Sequence, residues 1–319
     1  MTVLRALAIT TAFASLAAAA SAQDVGPRVA AVADLLGCSA ADRTHLVNGE
    51  VVACRSKGRR SRESAAVIVT ASPAATMRAM QRADLNHADR RVLASEELPS
   101  GEVDASAFAA LPIETSGVMD AWNLSVTEQA LLRDVAREEG GRGLEEAIRH
   151  ILAERTGAYR SGGPRAIASH TRPGSGVFAA GTESEAMWAR FAKLEALAPG
   201  VHAALQAYPR SSPLSPRHSF HASVIEHDGH PTVVLFHRAE FSADDYAITI
   251  EREFFVSRGY GTRQTVFGAT GITDGRSIAF YFTVAAGYAL DGQVAPPEEH
   301  PTEVDVFFSQ LRDHGARAD

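Results

Sequence analysis

After its first two dozen residues the chain has no apolar run of about 20 residues, the length a helix needs to cross a bilayer. Cysteine is nearly absent: Cys38 and Cys54 are the whole supply, too few to build a metal site from thiolates alone. Basic residues do not gather into a stripe. The formal net charge is −7, and the single basic run, RSKGRRSR at 55–62, reads as a solvated loop, so a nucleic-acid partner is not expected. Catalytic signatures are missing too. The nearest approach to a G-x-S-x-G nucleophile elbow, Gly174-Ser175-Gly176, is flanked by Pro173 and Val177 where glycines are required. The clusters GGRG (140–143) and SGGP (161–164) lack the spacing of phosphate-binding loops and read as helix breaks. No cofactor is implied.

What is present begins with an address. Residues 1–22 read as a cleavable secretory signal: Arg5 is the only charged side chain before Asp24, a small apolar run follows it, and Ala20-Ser21-Ala22 fits the small-x-small cleavage rule. Export to the periplasm or beyond follows as an expectation. In such an oxidising compartment, Cys38 and Cys54, with a separation of 16, are expected to form one disulfide, which removes thiol chemistry. Three segments are expected: the signal at 1–22, a disulfide-bounded segment at 23–63, and an α+β domain at 64–319 with a helical insertion over about 120–208.

Local patterns set the elements. A first short helix is expected over 27–36. Residues 64–71 are β-rich, and Ser72-Pro73 supplies a serine cap with proline at the first helical position of a helix reaching Ala83. Another strand is expected over 91–97, then loop over 98–120. Ser125-x-x-Glu128 is a capping box opening a helix that Gly140-Gly141 ends, and a second amphipathic helix follows at 143–158. Thr182-x-x-Glu185 reads as another capping box, with Met187, Trp188, Phe191, Leu194 and Leu197 lining one face. From Ser219 the period changes. Asp228-Gly229 and Asp274-Gly275 are each a two-residue break between alternating runs, a strong hairpin signal. Five antiparallel strands are expected near 219–227, 230–241, 247–257, 263–273 and 276–286. A terminal amphipathic helix, with Pro301, Glu303 and Asp305 at its start and Gly315 at its stop, carries Val304, Phe307, Phe308 and Leu311 on one stripe.

Hairpin arithmetic then assigns faces. Phe220, Ala222, Val224, Val233, Leu235, His237, Ala239 and Phe241 share one face of the first hairpin. In the second, Phe267, Ala269, Ile278, Phe280, Phe282 and Val284 share an apolar face, with Tyr281 opposite Gly268. The central strand alternates Ile248, Ile250, Arg252, Phe254 and Val256 with Thr249, Glu251, Glu253 and Phe255. The terminal helix has the stripe to cover the phenylalanine-rich face. His237 and Arg252 interrupt that face, and an apolar surface broken by a few polar groups suits a pocket for a hydrophobic ligand with a polar end. His237 is a candidate polar anchor or general base, and Arg252 a candidate partner for a carboxylate or phosphate. Phe220, Leu235, Phe254, Phe267, Phe280, Phe282 and Phe307 are the candidate apolar lining. Glu251 and Glu253 are expected to face solvent.

Five histidines lie between His218 and His237. Strand geometry divides them: His221, His227 and His230 on one face, His218 and His237 on the other, with His227 and His230 the one adjacent pair. Packing or solvated histidines are the default, and no metal is expected.

The order of elements, opening with AVIVTASPAATMRAM and closing with an antiparallel meander and an amphipathic helix, resembles the START-like helix-grip fold. That resemblance implies a curved antiparallel sheet wrapping the terminal helix around a cavity, with the middle helices inserted. WNLSVTEQALL and AYRSGG are also similar to stretches of exported bacterial proteins that carry no assigned activity. The leading expectation is a non-enzymatic exported protein holding a lipid-like molecule between sheet and terminal helix. The alternatives are an envelope enzyme using His237 or a histidine-bound metal, and a module whose helical middle docks a protein partner.

Overall fold

A computed structural model describes residues 26–56, 60–83, 92–172, 176–273, 275–287 and 303–314. The proposed signal, with Asp274, Pro301 and Gly315, lies outside the described residues. The architecture is α+β. Eight antiparallel strands form one sheet in the order β1-β2-β10-β9-β8-β7-β6-β3. These are β1 (Val52–Ser56), β2 (Arg60–Val69), β3 (Val92–Glu97), β6 (Arg217–His227), β7 (His230–Ala243), β8 (Tyr246–Val256), β9 (Thr262–Thr273) and β10 (Arg276–Ala286). A separate small hairpin pairs β4 (His170–Arg172) with β5 (Gly176–Phe178). The expected five-strand meander is present as β6–β10. Its first turn works as the sequence requires, with Asp228 at φ 50° and Gly229 at φ 75°, the two left-handed residues of a tight hairpin turn.

The helices are α1 (26–36), α2 (Ala40–Val47), α3 (Pro73–Arg82), α4 (Val118–Ala121), α5 (Val126–Glu138), α6 (Gly140–Gly162), α7 (Ala180–Trp188), α8 (Val201–Ala207) and α9 (Glu303–His314). Ser72 caps α3 with Pro73 at its start, and Ser125 and Glu128 close the capping box of α5 in both directions. Cys38 and Cys54 are disulfide-bonded, fixing the α1–α2 connection to β1. Among the described residues no helix is long and apolar enough to cross a membrane.

The sheet buries both faces. On one, Val224, Leu235, Ile250, Val266, Phe280 and Phe282 join a large core completed by α1 and by the helices from α4 to α8. On the other, Ala65, Val67, Phe267, Ala279 and Tyr281 pack against Met77 and Met80 of α3 and Val304, Phe308 and Leu311 of α9. Arg55 of β1 reaches Asp305 of α9 and holds that helix over the sheet.

Several expectations are corrected here. The terminal helix does not cover the face carrying His237 and Arg252; the middle helices do. A bulge between Arg276 and Ser277 slips the β9–β10 register by one residue, so Phe280 stands opposite Gly268 and Tyr281 opposite Phe267. Phe267 and Ala269 therefore lie on the α9 face, away from Phe280 and Phe282. A second bulge between Leu235 and Phe236 pairs Leu235 with Phe255 and Phe236 with Glu253. The extra residue, Phe254, enters the large core together with Phe255. Glu251 and Glu253 do not face solvent: they are 1 % and 2 % exposed. Arg238 pairs with Glu251 at 2.5 Å and Arg263 with Glu253 at 2.8 Å, while Tyr260 donates to Glu253 at 2.6 Å. Arg55 and Arg60 stand in strands rather than a solvated loop, and Arg60 bonds Glu183 of α7. Gly140 begins α6 at once after α5, and α7 starts at Ala180 with Thr182 inside it. Burial of Ala180 and of Ser184, whose hydroxyl and carbonyl take hydrogen bonds from Gln264, fixes that start without a side-chain cap.

Candidate functional site

β7 and β8 place His237 and Arg252 directly opposite each other on the helix-covered face. Each is 1 % exposed. The hydrophobic stripe of α6 delivers Tyr159 above them. Its ring stacks on the bulged Phe254 at 4.3 Å and meets His237 edge-on at 5.6 Å. Phe220 stacks on His237 at 4.8 Å and meets Tyr159 edge-on at 6.3 Å.

A chain of hydrogen bonds runs through these side chains. Arg252 Nη1 donates to the Tyr159 hydroxyl at 3.4 Å. The hydroxyl lies 3.1 Å from His237 Nδ1, and His237 Nε2 lies 2.8 Å from His218 Nδ1. Burial alone pushes the Tyr159 phenol above its ordinary range, although Arg252 pulls the other way, and the Tyr208 phenol is raised for the same reason. His237 titrates well below 6.5, first because of burial and then because His218 and Arg252 disfavour a second charge. Burial also lowers His218. With Tyr159 and His237 neutral, the donors take a definite order. Arg252 can only donate, so the Tyr159 proton points to His237 Nδ1, and His237 Nε2–H donates to His218.

Arg252 is the anomaly. Among the described residues no carboxylate pairs with it, and its Nε has no hydrogen-bond partner. A guanidinium out of water without an anion is unfavourable by several kcal/mol, on the order of the buried-ion penalty. Its guanidinium carbon also stands over the face of Trp188, 5.4 Å from the ring. Trp188 stacks in turn on His202 at 5.0 Å, and the two exchange hydrogen bonds through each other's carbonyls at 3.2 and 3.1 Å.

Arg252 also lines a cavity of about 750 Å3. Its walls come from the end of α6 (Ser161, Gly162), from α7 (Trp188), from α8 (His202, Ala203, Ala207) and from Tyr208 and Pro209. Gly163, at φ 64°, allows the wall to close: a Cβ there would strike the Tyr208 carbonyl. Arg165, Arg210 and Glu185 also line the cavity, and Arg165 pairs with Glu185 at 3.3 Å. Arginine outnumbers carboxylate in this lining, and its one buried arginine, Arg252, has no carboxylate partner among the described residues.

Of the expected site residues, His237, Arg252, Phe220, Leu235, Phe254, Phe280 and Phe282 share the helix-covered core. Phe267 and Phe307 belong to the α9 side. Tyr159, Trp188, His202 and Tyr208 are site residues that sequence reasoning misses. Tyr159 continues the buried α6 positions Ile148, Leu152 and Arg155, which is the signal that would find it. The histidine stretch differs from expectation in one respect: His218 and His237, diagonal neighbours on one face, are in contact as well as the His227–His230 cross-strand pair. Among the described residues the one cluster with metal-like spacing is Cys38, Asp42 and Cys54, and its two sulfurs are bonded to each other. No protein-family model, curated protein or solved structure matches this chain.

Proposed function

We propose that this is an exported binding protein for a small amphipathic acid, held between β8 and the helices α6–α8 with its anionic group on Arg252. The unpaired Arg252 at the wall of a cavity carries the reading. A planar guanidinium presents a fork of N–H donors that fits a carboxylate or phosphate. The cavity volume falls in the range of small-ligand sites, and Trp188, Ala203, Ala207 and Pro209 offer apolar surface to the rest of the molecule. The element order supports kinship with the helix-grip architecture, with the ligand on the helical side of the sheet instead of under the terminal helix. The Cys38–Cys54 bond supports residence in an oxidising compartment, periplasmic or secreted. The amino-terminal pattern supports the same address.

The test is native mass spectrometry of gently purified protein, followed by titration of stripped protein with decanoate. The expected result is a bound acid, or saturable decanoate binding, that is lost in Arg252→Met. Absence of any bound species together with no decanoate binding overturns the proposal.

A further inference from the structure

We infer that the anion enters the Arg252 cavity together with one proton, taken up by the chain His218–His237–Tyr159. This rests on the binding reading above and adds a second occupant, a proton, to the same site.

The argument is one of donors and acceptors. Within the protein Arg252 donates to Tyr159, Tyr159 to His237, and His237 to His218, so every bond points outward. His218 is exposed and gives the chain its contact with water. A proton arriving from the cavity reverses the bonds by relay: Tyr159 takes it and passes its own to His237 Nδ1, and His237 passes its Nε2 proton to His218 Nδ1. His218 Nδ1–H then donates to His237 Nε2, His237 Nδ1–H donates to the Tyr159 oxygen, and the Tyr159 O–H must turn to the Arg252 end. Among the described residues nothing at that end accepts it, because Arg252 carries only donors. An anion seated on Arg252 supplies the missing acceptor. No covalent bond is made or lost apart from the proton transfers, and the proton comes from water.

The charges around the chain point the same way. His237 faces His218 from β6, Arg252 from β8 and Tyr159 from α6, with Tyr208 packed on its ring at 4.4 Å, while Arg160 of α6 and His221 on the opposite face of β6 act on it through space. None of these is a carboxylate. Without an anion an added proton joins a cluster of positive groups; with one it is compensated. Tyr208 touches both His237 and the cavity, so the two charges are separated by about one side chain.

Inorganic sulfate is the probe, because its charge does not change over the working range. Isothermal titration of stripped protein is run from about pH 8 down to about pH 5, the span in which histidines titrate, in pairs of buffers that differ in ionisation enthalpy. The expected result is sulfate binding that tightens by up to about tenfold per pH unit, with uptake approaching one proton per sulfate. Tyr159→Phe, which cuts the chain but keeps the ring, and His218→Gln should each reduce the slope to less than about twofold per unit. The readout is the slope and the proton count, not the affinity at any single pH. Binding with no proton uptake overturns the coupling and leaves the anion site standing. An unchanged slope in both variants overturns it too, by assigning the proton elsewhere. Failure of sulfate to bind at every pH overturns the anion site itself, and the coupling with it.

Discussion

Replacing Arg252 by methionine separates two reasons for keeping a buried arginine. If the guanidinium holds the fold together, its loss destabilises the protein. If it is there for a ligand, the empty protein is strained by it and gains from its removal. The structure supplies the magnitudes. Arg252 is 1 % exposed, donates one long hydrogen bond of 3.4 Å to Tyr159, and sits 5.4 Å from the Trp188 ring. Such a bond is worth about 0.5–1.5 kcal/mol net, and a desolvated cation–π contact about 2 kcal/mol. Against them stands the several kcal/mol, roughly, of holding an uncompensated ion out of water. Methionine keeps most of the aliphatic volume and adapts to irregular space. Stripped Arg252→Met is therefore expected to be more stable than stripped wild type by about 1–4 kcal/mol, the range seen when buried ion pairs are replaced by apolar residues. Urea denaturation followed by fluorescence or circular dichroism measures this, with the slope unchanged so that the midpoints compare. Adding decanoate should reverse the order, stabilising wild type alone. Destabilisation of the stripped variant by more than about 2 kcal/mol would refute the reasoning and make Arg252 a structural residue.

Three further outcomes follow from particular contacts. Cys38→Ser should lower stability by about 3 kcal/mol, the loop-closure value for a separation of 16, and a reducing agent should bring wild type down to the same level. Glu253→Gln removes the charged acceptor that buried Arg263 pairs with at 2.8 Å and should destabilise by about 1.5–3 kcal/mol in chemical denaturation. His237 sets a pH dependence. Its folded form titrates well below the ordinary 6.5, so the unfolded chain binds the extra proton first. Its contribution is complete above pH 6.5 and is lost as pH falls from 6.5 toward the folded value, with a slope of up to about 1.4 kcal/mol per pH unit. His237→Gln should flatten that slope in denaturation curves taken at several pH values; an unchanged slope would place the titrating group elsewhere.

Much of the fold is legible in the sequence because its signals are local. Ser72-Pro73 and Ser125-x-x-Glu128 cap helices by bonds within four residues, and Asp228-Gly229 turns a hairpin by the left-handed backbone those residues tolerate. What the sequence hides depends on single-residue slips and on contacts far apart in the chain. The bulge at Arg276–Ser277 leaves no mark in an alternating pattern, yet it moves Phe267 to the opposite face. Which layer of helices covers which face is equally hidden, since α6 and α9 both carry apolar stripes. His237 and Arg252 can be picked out because polar residues break an apolar face. Their partners cannot, because they come from helices about 50–90 residues earlier: Tyr159 lies just past the expected end of its helix at 158, and Trp188 reads as one member of an apolar stripe. Glu251 and Glu253 mislead for a related reason: a charged side chain on a strand reads as exposed until Arg238 and Arg263 are seen to pair with it.

The central claim is that an anion sits on Arg252, and the side chain can report on that itself. In a ¹⁵N–¹H spectrum the Arg252 Nε–H is assigned by its absence in Arg252→Met and followed as decanoate is added. The account predicts a saturable shift of that resonance, since a carboxylate on the guanidinium changes the field at an Nε–H that has no protein partner. An Arg252 Nε–H that stays fixed while resonances elsewhere move to saturation would contradict it.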